Sequence, residues 1–72
     1  MHLTASEKIR IILKRKNMTV ADLAQKTNQS RQNLTNKINR DNFSESDLEK
    51  IAQALDCTYN ISFTMNDTGE VI

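Results

Sequence analysis

Proline is absent from this 72-residue chain, tryptophan is missing, glycine occurs only at Gly69 and cysteine only at Cys57. One cysteine cannot form an internal bridge, which excludes a disulfide scaffold and points to a reducing compartment. So little glycine and no proline exclude collagen-like or linker character. No apolar run approaches the ~20 residues that a membrane-crossing helix needs. The opening MHLTASEK lacks the apolar segment of a signal peptide. A soluble, cytoplasmic chain with no membrane contact is expected. There is no second histidine, no metal-spaced Cys/His cluster, no glycine-rich phosphate loop and no nucleophile–base pairing. Neither an enzyme nor a metal or cofactor site is therefore expected. A chain this short makes one domain with little room for an enclosed pocket, so no small-molecule ligand is expected either.

What is present is an uneven distribution of charge. Nine bases lie between Lys8 and Arg40, with Asp22 the only acid among them, a net +8. From Asp41 onward seven acids face Lys50 alone, a net −6, and Glu7 brings the total to +1. Such asymmetry suggests one side facing a polyanion and another facing solvent. The plain alternative is that charged helices merely solvate themselves.

The basic half contains the stretch TVADLAQKTNQSRQNLTNKI, from Thr19 to Ile38. Val20, Leu23, Ala24 and Thr27 recur at helical spacing, with Thr19 as the N-cap and Asp22 near the positive helix end. Asn28-Gln29 forms the turn, since Asn tolerates the left-handed conformation that stops a helix. Ser30 caps a second helix over about Arg31–Asn39, with Leu34 and Ile38 facing inward. Its other positions, Arg31, Gln32, Asn33, Asn36 and Lys37, are polar or long. An anchored rod displaying hydrogen-bonding tips is what reading base edges in duplex DNA requires.

The flanking segments read as support. Thr4 and Glu7 have capping-box spacing, and a first helix to about Lys16 buries Ile9, Ile12 and Leu13, with Ile11 at the stripe's edge. Asn17 ends it, and Met18 plugs the core. His2 receives no role. Phe43-Ser44-Glu45-Ser46-Asp47-Leu48 supplies staple, cap and third-position acid for a fourth helix, which buries Leu48, Ile51, Ala52 and Leu55 and ends near Asp56. Cys57 reads as a small buried hydrophobe.

After Cys57 the period changes. Tyr59, Ile61, Phe63 and Met65 alternate with polar residues, Asn66–Gly69 supply a turn, and Glu70–Ile72 could return. The expected fold is therefore mainly α: a four-helix domain over residues 1–57, with residues 58–72 as a C-terminal β-strand or short hairpin that is not a separate domain. A hairpin alone is marginal in water. Its apolar face either folds back over its own helices or meets a second subunit through the Tyr59–Met65 strand. The homodimer is favoured, because a small domain gains most from a shared core.

LAQKTNQSRQNLTNKINRDNFSESDLEKIAQALDC resembles the phage-repressor-like (XRE, lambda repressor-type) helix-turn-helix family across about residues 4–57. Ala24 in the small-residue slot where the two helices cross, Leu34 in the core slot and LEKIAQAL in the supporting helix carry the resemblance. It implies a DNA-binding transcriptional regulator, most commonly a repressor acting as a dimer on a palindromic operator. By motif position, Arg31, Gln32, Asn33 and Asn36 resemble the family's base readers, and Lys37 and Arg40 its backbone contacts. The chain departs from the pattern at several slots. Asn28 stands where glycine is usual and Gln29 where an apolar residue is usual. Lys37 replaces an apolar position, with Ile38 taking over the packing. Val20 opens the second helix, leaving Thr19 and the helix N–H groups to meet phosphate, and the alternating tail stands where a fifth helix is usual.

Chemically, Arg31 can donate twice to guanine, and Gln32 or Asn33 can pair with adenine. Gln32 and Asn36 lie four residues apart on one face and are weighted as readers. Lys26, Lys37 and Arg40 suit phosphate. Ser30 and Thr19 stand at the two helix starts that would approach the duplex. The alternative for each reader is an exposed polar residue with no DNA role, or for Asn33 a local cap. At the level of the whole chain, the alternative is a protein-interaction or antitoxin-like module using the same fold.

Overall fold

A computed structural model describes residues 2–72. Four helices follow in order: α1 Ala5–Arg15, α2 Val20–Lys26, α3 Arg31–Arg40 and α4 Glu45–Ala54. Each starts at a Ser or Thr whose side chain accepts the N–H three residues on: Thr4, Thr19, Ser30 and Ser44. Three of the starts are closed reciprocally by an acid, Glu7, Asp22 or Asp47, which answers the cap residue's own N–H.

The helix ends are equally uniform. Asn17, Asn28, Asp41 and Asp56, one after each helix, have φ between 50° and 59°. With glycine used nowhere before Gly69, Asn and Asp take the left-handed position, because their short side chains tolerate it best among residues bearing a Cβ. Each such stop shows the paired return bonds of a Schellman motif. In the first, Met18 N–H donates to Leu13 O (2.9 Å) and Asn17 N–H to Lys14 O (3.2 Å); in the third, Asn42 N–H donates to Lys37 O (3.0 Å).

The core is formed by Ile9 and Leu13 of α1, Leu23 and Ala24 of α2, Leu34 and Ile38 of α3, Ile51 of α4 and the capping Leu55. Met18, Val20, Phe43, Leu48 and Cys57 pack around it, half-buried. Ile12 is half-buried and Ile11 exposed, as an edge position should be. Leu23 and Leu34 are wholly enclosed. They sit where α2 meets α3, and Ala24, small and buried, belongs to the same contact.

One buried polar residue ties the ends of the array together. Ser6, 7% exposed, donates from Oγ to Ile38 O (2.6 Å), with Asp41 Oδ1 also within reach at 2.9 Å. Its backbone N–H donates to the same Asp41 Oδ1 (3.0 Å). The carboxylate that follows α3 thus caps an open N–H in the first turn of α1, where negative charge is favoured.

The expected C-terminal β-strand over Tyr59–Met65 does not form. Among the described residues there is no sheet, only an isolated antiparallel bridge between Thr64 and Val71. Phe63 and Ile72 exchange backbone bonds (3.3 and 2.8 Å), and Met65 N–H donates to Glu70 O (2.7 Å). Pairing is confined to the few residues on either side of the turn at Gly69 (φ 77°), and residues 59–62 have no partner strand to ladder with. Tyr59 is half-buried against α1 and α4, but beyond it the tail does not fold back over the helices, since Ile61, Phe63, Met65, Val71 and Ile72 are all exposed. The Cα radius of gyration is 13.8 Å, against about 11 Å for a compact chain of this length. Residues 60–72 are exposed and form a projecting arm.

Candidate nucleic-acid interface

The geometry of α3 follows from what pins it. Leu34 and Ile38 hold its underside in the core, Asp41 fastens its C-terminal end to α1, and Ser30 caps its start. At about 100° per residue, Asn36 then falls opposite the Leu34–Ile38 stripe, with Gln32, Asn33, Asn39 and Arg40 around it. Arg31, Gln32, Asn33, Asn36 and Arg40 are all exposed. The structure therefore brings Gln32, Asn33 and Asn36 together on one outward face, while Arg31, though exposed, lies at the start of the helix beside the Leu34–Ile38 stripe.

Electrostatics set α3 apart from its neighbours. Its first turn contains no acid, whereas α1, α2 and α4 each have one or more there. The third position is Asn33, which gives its N–H to Ser30 Oγ (3.1 Å) but turns its side chain to Gln29. The positive end of the helix dipole is thus left without a carboxylate, and Arg31 adds charge beside it.

Other expected contacts are differently placed. Lys37 is half-buried, with its ammonium 3.1 Å from Asp47 Oδ1. The acidic half is therefore not remote from α3, because the N-terminal turn of α4 touches it. Ser44 N–H, followed by the Lys37 ammonium, holds the Asp47 carboxyl below the usual carboxylate range. At α2, Thr19 spends its hydroxyl oxygen and its N–H on Asp22 (3.1 and 3.0 Å). The Thr19 N–H, then its side chain and the Lys26 charge, hold the Asp22 carboxyl below the usual carboxylate range. A carboxylate already occupies that helix start. Lys26 is exposed at the other end of α2.

Asn39, Arg10 and Gln29 join this surface beyond the residues predicted as contacts. Asn39 lies on the outward face of α3 and accepts from Arg10 Nη2 (3.1 Å). Gln29, half-buried in the turn, donates from Nε2 to Thr27 Oγ1 (2.8 Å) and accepts from Asn33 Nδ2 (2.9 Å). The four-residue spacing of Gln29 and Asn33 was the available signal.

Two short helices joined by a tight turn, the second displayed and the first bracing it, define a helix-turn-helix DNA-binding domain. The model of the Cro/C1-type HTH DNA-binding domain matches residues 8–60. The chain belongs to that family, whose fold serves DNA binding by transcriptional regulators. No curated protein and no solved structure matches it. No described helix is long and apolar enough to cross a membrane.

Proposed function

We propose that the chain is a sequence-specific transcriptional repressor that lays α3 in the major groove of operator DNA. The observation that carries this is the outward face of α3: exposed amides and guanidinium groups on a helix whose underside is locked into the core. Arg31, Gln32, Asn33 and Asn36 read base edges. Arg40 and Lys26 meet phosphate, as do Ser30 at the acid-free start of α3 and Thr19 through its remaining hydroxyl proton. Lys37 joins them only by exchanging Asp47 for a phosphate.

The protein acts as a homodimer on a palindromic site, because one ten-residue helix reads too few base pairs for useful specificity. The arm supports this. Phe63 opposite Ile72 and Met65 two residues on place Phe63, Met65 and Ile72 on one face, all three exposed, with exposed Ile61 just before them. So much apolar surface on so small a protein marks an interaction site. The same patch favours a second reading, in which the arm binds a different protein.

Selection of bound duplexes from a random library tests the proposal. An enriched palindrome, with affinity falling steeply as salt rises, is expected. Enrichment of nothing, together with no retention on random duplex at low salt, would refute it. Sedimentation of the same sample separates a homodimer from a monomer awaiting another partner.

A further inference from the structure

We infer that Gln29 is a positioning residue that sets the polarity of the Asn33 amide, making Asn33 select adenine. The inference rests on the DNA-binding reading above and assigns the orientation of one reader. The chain of bonds begins at the Leu23 carbonyl, which can only accept. Thr27 spends its hydroxyl proton there (2.9 Å), so its oxygen is left to accept. Gln29 must then offer Nε2 to Thr27 (2.8 Å), which turns Oε1 the other way. Oε1 can only accept, so Asn33 must offer Nδ2 (2.9 Å). One end of the relay is a helix carbonyl packed in α2; the other is an exposed amide on α3.

Asn33 is left with a free Oδ1 and one free N–H. Adenine presents the complement in the major groove, a donor at N6 and an acceptor at N7, whereas guanine presents two acceptors. An amide free to turn could offer its N–H groups to guanine; one tethered through Nδ2 keeps its oxygen available for a donor. Neither Gln32 nor Asn36 is held by such a bond among the described residues. Asn33 is therefore the preorganised amide of α3. The polar residue in the turn, at a slot where packing would suit an apolar one, acquires a purpose.

Full-length protein and duplexes differing at one base pair test this, using the sequence selected by the wild type. The pair that Asn33 faces is the one where Asn33→Ala relaxes preference. There the wild type should favour adenine over guanine, and Gln29→Met should reduce that ratio roughly tenfold, with other positions unchanged. Thr27→Val, which keeps the shape, should act in the same direction. In an Asn33→Ala background Gln29→Met should have no further effect. Thermal unfolding shows that the variants remain folded. A ratio unchanged by Gln29→Met, a loss spread evenly over all positions, or a guanine preference at that pair would overturn the inference while leaving DNA reading intact. If the wild type selects no sequence at all, DNA reading itself fails and this assignment with it.

Discussion

Asp41 does two jobs that substitutions can separate. It occupies a left-handed position (φ 50°), and its Oδ1 accepts from Ser6 N–H at 3.0 Å, with Ser6 Oγ at 2.9 Å. A hydrogen bond to a charged group contributes about 1.5–3 kcal/mol, and the partly exposed setting argues for the low end. The left-handed backbone adds a further ~1 kcal/mol for a residue without Asp's tolerance. Asp41→Ala loses both and should cost about 2–4 kcal/mol. Asp41→Gly loses the acceptor but relaxes the backbone, and should cost about 1–2 kcal/mol. Asp41→Asn keeps an acceptor and the turn, and should cost under about 1 kcal/mol. A domain of this size has only about 4–11 kcal/mol in total, so the alanine variant should lower Tm by ten degrees or more, at roughly 4–8 °C per kcal/mol. The assay is thermal or urea unfolding at pH 7 of the three variants, of Ser6→Ala, and of the Ser6→Ala/Asp41→Ala pair. Because Ser6 and Asp41 share bonds, the double variant should cost less than the sum of the singles. Equal destabilisation by alanine and glycine would refute the conformational part, and strict additivity would refute the tie to α1.

Other outcomes follow from the same geometry. Asn28→Gly should raise Tm by a few degrees and Asn28→Ala should lower it by a similar amount, about 1 kcal/mol either way, read by calorimetry. Asp22 and Asp47 both have pKa values lowered by folding. Their stabilisation is complete above the unfolded value of about 3.9 and disappears as pH falls through the lower folded values. Tm should therefore drop on acidification below about pH 4, less steeply in Asp47→Asn. Arg40→Ala should weaken binding to all duplexes alike and reduce the salt slope by about one. Lys37→Ala should reduce it less, because Asp47 already neutralises that charge; an equal reduction would show that the pair opens fully on DNA. Phe63→Asp should leave the helical domain folded and convert a dimer to a monomer in sedimentation.

The helical part of this fold was legible because its signals are local. Thr4, Thr19, Ser30 and Ser44 announce helix starts within three residues of themselves, and the apolar spacing of Leu23, Leu34 and Ile51 states which face turns inward. The Ser6–Asp41 tie was not legible, since its partners lie 35 residues apart and each alone reads as an exposed polar side chain. Lys37 shows the same limit. Its position on α3 suggests phosphate, but its partner is supplied by the next helix. Alternation at Tyr59–Met65 predicts a strand, but a strand needs a neighbour, and only the isolated Thr64–Val71 bridge forms. The outward cluster on α3 could be read from helical periodicity alone. The orientation of the Asn33 amide could not, because it is decided by a carbonyl three hydrogen bonds away.

The four Asn or Asp stops also bear on how the chain reaches this shape. Every start and stop is specified within one helical turn, and without proline there is no slow isomerisation step. Helices specified nearby collapse quickly, so the helical domain should refold within milliseconds in a single exponential, with subunit assembly a separate, concentration-dependent step.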